Sequence, residues 1–129
     1  MKKQECLFCK FKDNLNHEHI VQDELVFAIL DQNPVSPGHA LVIPNRHVQS
    51  LFDLTQDEIL AVHNMLKKIK VTTIEPRFKP AAYNLGLNDG RAAGRTIDHC
   101  HFHLIPRYEG DVDNPRGGIR HIIPGKGNY

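Results

Sequence analysis

The histidines at His99, His101 and His103 are the residues of this sequence whose types and spacing are best suited to chemistry. They occupy every second position, with Cys100 and Phe102 between them. Successive side chains of a β-strand point to opposite faces, so a strand here would place the three imidazoles on one face. Imidazoles titrate near neutral pH and are unusual as strand residues. We therefore expect an anion, a metal ion or both to face this row.

Three kinds of chemistry could use the row. Three histidines can hold a catalytic zinc ion, but on a straight strand these rings spread over roughly 13 Å, at about 3.3 Å per residue. The row could instead bind an anion without catalysis. In the third interpretation, one imidazole attacks a phosphate to form a phosphohistidine that water hydrolyses, while the adjacent rings stabilise charge. This interpretation uses the geometry best, and His101, with a neighbour on each side, is the expected nucleophile.

A second chemical pattern is the CxxC pair formed by Cys6 and Cys9. A redox pair of this type usually opens a helix that follows a strand, and nothing before Cys6 could supply that strand. The pair could also be half of a zinc site, with two further ligands from this histidine-rich chain. Three cysteines do not make a disulfide framework. We expect zinc, with a redox pair and metal-free thiols as the alternatives.

The elements that would position these residues can be predicted from the apolar pattern. Besides the histidine row, strands are predicted at 17–22, 25–30, 39–44 and 81–88. Thr55 and Glu58 form a capping box, and the apolar residues that follow recur at helical spacing, so we expect a helix that covers the sheet.

Two loops in this arrangement are candidates for ligand binding. Residues 31–38 contain two prolines and a glycine after a buried strand, a place where polar groups often meet ligands. The glycine-bearing loop 89–95 leads into the histidine row, and its backbone amides could hold an anion. The glycine-rich tail 108–129 is expected to wrap over a neighbouring surface, for example that of a second subunit.

Composition limits the class of protein. The chain has 129 residues, 40% of them hydrophobic, and a formal net charge of +1. This length suits one domain with one core, and the balanced charge gives no reason to expect nucleic acid or membrane as a partner. No secretory signal or membrane-spanning run is recognisable. We expect a single cytoplasmic domain over residues 1–129, with 108–129 as an extended tail.

The segment His99–Ile105 resembles the signature of the histidine triad (HIT) family, in which histidines alternate with hydrophobic residues. The resemblance runs from Cys6 to about Asp111 and includes the segments Gly38–Val48 and Asn88–Thr96. It implies an α+β fold, in which one long helix packs on an antiparallel sheet with small additional helical turns, and usually a homodimer. The family hydrolyses or transfers nucleoside monophosphate from nucleotidyl-phosphate-X substrates through a nucleotidyl-histidine intermediate.

The resemblance also implies roles for individual residues. His101 would be the nucleophile, His103 would contact the phosphate, and His39 would lie in the same network. Asp31 would bind the ribose hydroxyls. The residues expected at the phosphate are Asn88, Gly94 and Thr96.

Family members that begin with CxxC hold a structural zinc ion. By the same resemblance, the zinc ligands here would be Cys6, Cys9, His47 and His99. A closed tetrahedral site of this kind would fix the end of the catalytic strand against the N-terminus. A rival ligand set, closer to the cysteines in sequence, consists of His17 and His19.

Arg95 departs from the family pattern, which usually has glutamine after Gly94. A glutamine there donates a hydrogen bond to the phosphate or leaving group as a neutral side chain. Arginine adds a permanent charge and a bidentate fork, which could favour a more anionic leaving group, such as a polyphosphate nucleotide. Alternatively, Arg95 turns to solvent and the contact is lost.

The expected function is therefore hydrolysis of a purine nucleotide substrate, above all a dinucleoside polyphosphate such as diadenosine tetraphosphate. One alternative is a nucleoside phosphoramidase, which removes an amine from adenylate. The other is a nucleotide-binding signalling module without catalysis.

Overall fold

Five antiparallel strands form one sheet, in the order β1-β2-β3-β5-β4, in a computed structural model that describes residues 6–13 and 21–129. The strands are β1 (Val21–Gln22), β2 (Val26–Leu30), β3 (Ala40–Pro44), β4 (Ala82–Gly86) and β5 (Phe102–Arg107). A short helix, α1 (Leu7–Asp13), lies near the N-terminus, and the long helix is α2 (Gln56–Ile69). The α+β fold expected from the sequence is confirmed.

The central strands β2 and β3 are buried on both faces, which explains their continuous apolar sequences. They pair over five residues, from Val26 opposite Pro44 to Leu30 opposite Ala40. One face packs against α2 through Val62, Met65 and Ile69. The other face packs against α1 and the two N-terminal cysteines. The sheet thus separates a core covered by α2 from a second core, on its other face, that contains Cys6 and Cys9.

The start of α2 is fixed by the predicted capping box. Thr55 Oγ1 accepts from the Glu58 amide at 3.1 Å, and Glu58 Oε1 accepts from the Thr55 amide at 2.9 Å. The helix continues through a π-helical turn at Lys70–Ile74 into α3 (Glu75–Phe78). Pro76 therefore lies inside a helical segment, just after the π-helical turn, and because a proline has no amide N–H the segment lacks one backbone hydrogen bond there.

The histidine row does not form one continuous strand. β5 begins only at Phe102, so His99 and His101 precede it and the prediction of a strand through all three was wrong for these two. The His99 amide donates to the Ile97 carbonyl at 2.9 Å, and the Cys100 amide donates to the Val48 carbonyl at 2.7 Å. The bond to Val48 attaches this segment to the chain that follows β3. Together, the two bonds hold the backbone in a bend.

The segment after β5 packs back on the same sheet. The Tyr108 hydroxyl donates to the Pro37 carbonyl at 2.6 Å. One turn of 3-10 helix forms at Gly118–Ile122, and the Ile119 side chain lies over Gly86 of β4. In the described part of the chain, no helix combines the length and apolarity that crossing a membrane requires.

Candidate functional site

Four side chains from distant parts of the chain converge beside α1. Their donor atoms lie within 4.8 Å of one another and belong to Cys6, Cys9, His47 and His99. Cys6 Sγ lies 3.3 Å from His99 Nδ1, and Cys9 Sγ lies 3.3 Å from His47 Nδ1. Tetrahedral Zn–S and Zn–N bonds of about 2.3 and 2.1 Å place sulfur and nitrogen ligands roughly 3.6 Å apart. The four side chains therefore fit a closed metal site.

The neighbouring elements hold these ligands in place. α1 carries one of the cysteines and begins directly after the other, and His47 follows β3. The His99 ring donates Nε2–H to the Pro44 carbonyl at 2.8 Å, which leaves the Nδ1 lone pair on the side of the sulfurs. Such a hydrogen bond fixes the tautomer of a metal-binding histidine. Two rival ligands lie outside the described residues, namely His17 and His19.

The ring of His101 is held in the tautomer that a nucleophile needs. Its Nδ1–H donates to the His99 carbonyl at 2.7 Å, so Nε2 keeps its lone pair. The ring packs edge-on against Phe8, with centroids 4.9 Å apart, and His101 is only 8% exposed. Burial lowers the pKa of His101, although the bond to the His99 carbonyl opposes this shift. Burial thus favours the neutral imidazole, in which one nitrogen is free to attack.

His39 and His103 form a directed hydrogen-bond chain. The Val35 amide donates to His39 Nδ1 at 3.1 Å, and because a backbone amide can only donate, this nitrogen carries no proton. His39 Nε2–H then donates to His103 Nδ1 at 2.9 Å, which leaves the proton of His103 on Nε2. The rings of His101 and His103 lie 5.2 Å apart. A free lone pair and a neighbouring N–H donor are therefore presented side by side.

Asp31 lies beside the middle of this chain, near the nitrogen of His39 that donates to His103. Its Oδ2 is 3.7 Å from His39 Nε2, and its Oδ1 accepts from the Asn33 amide at 2.9 Å. The spacing of Asp31, His39 and His103 alone could accommodate a metal ion. However, the Val35 amide bond keeps the proton of His39 on Nε2, the atom that would have to bind the ion. The geometry therefore favours a hydrogen-bond network at this place.

A cavity of about 290 Å³ opens beside these rings. Its polar edge includes Asp31, Thr96, His101 and His103. Its apolar wall is formed by β2 and β3 residues together with three side chains of α1, which are Leu7, Phe8 and Phe11. Sequence reasoning did not assign the α1 side chains to a site. The only signal was the presence of bulky apolar residues within and just after the CxxC pair.

The loop between β4 and the histidine row brings Asn88 and Gly94 together. The Asn88 side chain lies about 4.0 Å from the place that a Cβ atom on Gly94 would occupy. Gly94 has φ of 99°, a conformation that favours glycine. Neither residue is part of the cavity lining, whereas Thr96 is. Their roles at a phosphate stay predictions.

The Arg95 side chain is largely buried, so the solvent-facing alternative considered from the sequence was wrong. Its guanidinium neither turns to solvent nor lines the cavity. Instead, Nε donates to Asp98 Oδ1 at 3.1 Å and Nη1 donates to the Gln49 carbonyl at 3.1 Å. Whether Arg95 contacts a substrate stays a prediction.

The imidazole of His103 is expected to remain neutral well below pH 6.5. Burial, together with the rings of His101 and His39, lowers its pKa to about 4, and Asp31 opposes this shift. The unfolded chain binds this proton near pH 6.5. Stability should therefore fall as the pH drops from 6.5 towards 4, because the unfolded state then binds more protons than the folded state.

Histidine-ring NMR measures this titration directly. His103→Asn should also flatten the same part of the curve of unfolding free energy against pH. Inflection of the His103 signal at pH 6.5 or above would contradict the buried network.

The sequence is similar to that of known proteins over most of its length. The HIT domain family model matches residues 12–110. An uncharacterised HIT-like protein of Methanocaldococcus jannaschii is 39% identical over 108 residues, which cover 82% of this chain and 81% of that protein. In Schizosaccharomyces pombe, an asymmetrical bis(5'-nucleosyl)-tetraphosphatase is 41% identical over 68% of this chain and 48% of its own length. An adenosine 5'-monophosphoramidase of the same yeast is 35% identical over 79% of this chain and 74% of its length.

Solved structures agree on the fold. A HIT family protein from Bacillus anthracis superposes with a TM-score of 0.73 and 42% identity, over 81% of this chain and 74% of that one. A zinc-bound histidine triad protein from Mycobacterium smegmatis gives a TM-score of 0.74 and 29% identity, over 85% and 80%. With the family match, the sheet order and the Cys2His2 cluster beside the histidine row, the chain belongs to the HIT domain family.

Proposed function

We propose that this protein hydrolyses nucleotidyl-phosphate-X substrates, above all dinucleoside polyphosphates, through a nucleotidyl group carried on His101. The observation that carries the proposal is the tautomer of His101, whose Nδ1–H is bound to the His99 carbonyl while Nε2 keeps its lone pair beside the cavity. A buried, neutral imidazole in this state is a competent nucleophile towards phosphorus.

The reaction takes two displacements at phosphorus. First, the lone pair of His101 Nε2 forms the N–P bond, and the bond from phosphorus to the leaving oxygen breaks, with the electron pair departing on that oxygen. Second, the oxygen of a water molecule forms a P–O bond, the N–P electron pair returns to Nε2, and a proton of the water passes to solvent. The His99 carbonyl stabilises the transient positive ring, since it accepts the Nδ1–H throughout.

The neighbouring groups would stabilise charge on the phosphoryl oxygens. His103 presents Nε2–H because His39 Nε2–H donates to its other nitrogen. Preorganised donors of this type make the largest contribution to the rate enhancement of many enzymes. Asp31 would accept from the ribose hydroxyls, and the apolar wall with Phe8 suits a purine base. The loop residues proposed at the phosphate are Asn88, Gly94 and Thr96.

We further propose that the four-residue cluster holds a structural zinc ion. The ligands would be Cys6, Cys9, His47 and His99. Their spacing supports this assignment, and zinc bound there would supply only a rigid tetrahedral link between α1 and the bend before β5. A reducing compartment such as the cytoplasm would keep these thiols available.

The activities after which two relatives are named support the choice of substrate, and they also define the main alternative. One relative is an asymmetrical bis(5'-nucleosyl)-tetraphosphatase, and another is an adenosine 5'-monophosphoramidase. The test is a panel of diadenosine tetraphosphate, diadenosine triphosphate and adenosine 5'-phosphoramidate, with products separated by chromatography. Release of AMP from the polyphosphates supports the proposal, and preferential turnover of the phosphoramidate favours the alternative. Nucleotide binding without turnover of any compound favours a non-catalytic module.

We also propose that the protein acts as a homodimer that forms at β4. This strand is at one edge of the sheet, and an edge strand presents unpaired backbone groups to a partner. Leu85 on this strand is 48% exposed, and Ile119, whose side chain lies over Gly86 of the same strand, is 58% exposed.

If β4 is the dimer surface, Leu85→Asp should weaken the dimer by roughly tenfold or more, because a carboxylate would be desolvated there. Light scattering across a concentration series measures this change. Leu60 of α2 is 58% exposed and lies near the turn between β1 and β2, so Leu60→Asp is a matched control that should leave the mass unchanged. Equal dimerisation of both variants would contradict the proposed surface.

A further inference from the structure

We propose that Arg95 is a positioning residue, which fixes the shape of the loop 88–96 that presents Asn88, Gly94 and Thr96 to the phosphate. The role of the loop rests on the proposed function. The role of Arg95 in holding the loop rests on its own contacts. These contacts assign the arginine side chain to the loop rather than to the substrate.

The guanidinium ties together three separate parts of the chain. It donates through Nε to Asp98 Oδ1 at 3.1 Å, after the loop, and through Nη1 to the Gln49 carbonyl at 3.1 Å, on the segment that follows β3. The same Nη1 lies 3.8 Å from Asp89 Oδ1, near the start of the loop. The side chain is only 11% exposed, so these contacts are largely shielded from water.

The loop has backbone hydrogen bonds of its own in a 3-10 turn at Arg91–Ala93, but these bonds are local and do not attach it to the rest of the chain. Gly90 and Gly94 both have positive φ, so the backbone bends at two residues without side chains. The Arg95 amide closes the turn by donating to the Gly90 carbonyl at 3.1 Å. Ser50 Oγ donates to Asp89 Oδ2 at 2.8 Å and attaches the start of the loop to the segment that also holds Arg95. Glycine-containing loops order at a high entropic cost, and the Arg95 side chain offsets that cost.

The charges around Arg95 argue against a direct contact with phosphate. Two carboxylates, of Asp98 and Asp89, lie within 4.0 Å of the guanidinium and balance its charge. Swinging the side chain to a substrate would remove a partner from the Asp98 carboxylate, which is 8% exposed, and such a loss is costly at a buried position. Arginine also forms two bonds here from two different nitrogens, Nε and Nη1, whereas a glutamine is shorter and carries both of its donors on one nitrogen.

Arg91 provides a matched control within the same cluster. Its Nη2 lies 3.2 Å from Asp98 Oδ2, the other oxygen of the same carboxylate, but its side chain is 80% exposed. Exposed ion pairs of this kind contribute little. A change at Arg91 therefore removes a positive charge near Asp98 without removing the contacts to Gln49 and Asp89.

The experiment compares Arg95→Gln, Arg95→Lys and Arg91→Gln with the wild type by amide hydrogen exchange over residues 88–96. Arg95→Gln should speed exchange there by about tenfold or more, Arg95→Lys should give an intermediate effect, and Arg91→Gln should stay within about twofold. AMP affinity, measured by calorimetry, should fall most in Arg95→Gln, less in Arg95→Lys and least in Arg91→Gln. If Arg95→Gln lowers global stability too far, Arg95→Lys carries the comparison.

Kinetics with leaving groups of different pKa separate positioning from contact. If Arg95 only positions the loop, Arg95→Gln should lower kcat/KM by a similar factor for every leaving group. Unchanged exchange together with an altered dependence on the leaving group would overturn the proposal, as would equal exchange in the Arg91 and Arg95 variants. The exchange result needs no turnover, so an absence of hydrolysis by the wild type would reject the proposed function without deciding the role of Arg95.

Discussion

His101→Ala is expected to lower kcat for nucleotidyl hydrolysis by roughly 10⁴-fold or more, which is the scale of losing an essential nucleophile. The reason is that the proposed N–P bond cannot form without Nε2, and the neighbouring His103 has its lone pair engaged by His39. Nucleotide affinity should change much less, because the variant keeps Asp31 and the apolar wall of the cavity. Steady-state assays with calorimetric AMP binding measure both quantities.

A matched control uses another histidine of the same chain. His63 lies exposed on α2, on an element that contributes nothing to the cavity lining. His63→Ala should retain wild-type kcat within about twofold, as expected for surface substitutions. A His101→Ala enzyme with wild-type turnover would remove this residue as the nucleophile.

Cys9→Ser is expected to release the metal and destabilise the fold by at least about 3 kcal/mol, since loss of a structural metal is among the largest effects of single substitutions. For a chain of this length, that corresponds to a fall in Tm of roughly 10 °C. The damage should reach the active site as well. Phe8, between the two cysteines, packs against His101, so nucleotide affinity should weaken when α1 loses its link to the sheet.

The control is the third cysteine, Cys100, which is also buried but lies outside the four-residue cluster. Elemental analysis should find one zinc ion per chain in Cys100→Ala, and its free energy of unfolding should fall by only about 1 kcal/mol. The same zinc content in Cys9→Ser and wild type would contradict the proposed ligand set, and so would wild-type thermal stability of metal-free protein.

Much of the fold could be predicted because local patterns specify it. The apolar runs at 25–30 and 39–44 became β2 and β3, within one residue at each start. The capping box at Thr55 and Glu58 formed with both of its hydrogen bonds. These signals depend on near neighbours in sequence, and for that reason a single chain is enough to read them.

Other features depend on contacts between distant residues. His99 and Cys6 are 93 positions apart, and nothing in their local sequence announces that they meet or that the chain bends there. The pairing could be inferred only from the family resemblance. The bend itself follows from tertiary hydrogen bonds to Pro44 and Val48, which override the alternation that predicted a strand.

Arg95 illustrates the limit for individual side chains. Its position after Gly94 indicated a phosphate-facing fork or a solvent-facing side chain. The structure places the side chain against the carboxylates of Asp98 and Asp89 and the Gln49 carbonyl instead of in solvent, and its contact with a phosphate stays a prediction. An arginine side chain has five N–H donors and orients towards buried acceptors. The positions of these acceptors become known only when the loop and the segment after β3 are placed together.

The most direct test of the account is to trap the covalent intermediate. A substrate labelled at the transferred phosphoryl group is mixed with excess enzyme, denatured within milliseconds and digested, and the labelled peptide is sequenced. We expect an acid-labile nucleotidyl group on His101, and retention of configuration at a chiral phosphorus, because two in-line displacements each invert it. Label on another side chain, or inversion from direct attack by water, would contradict the account.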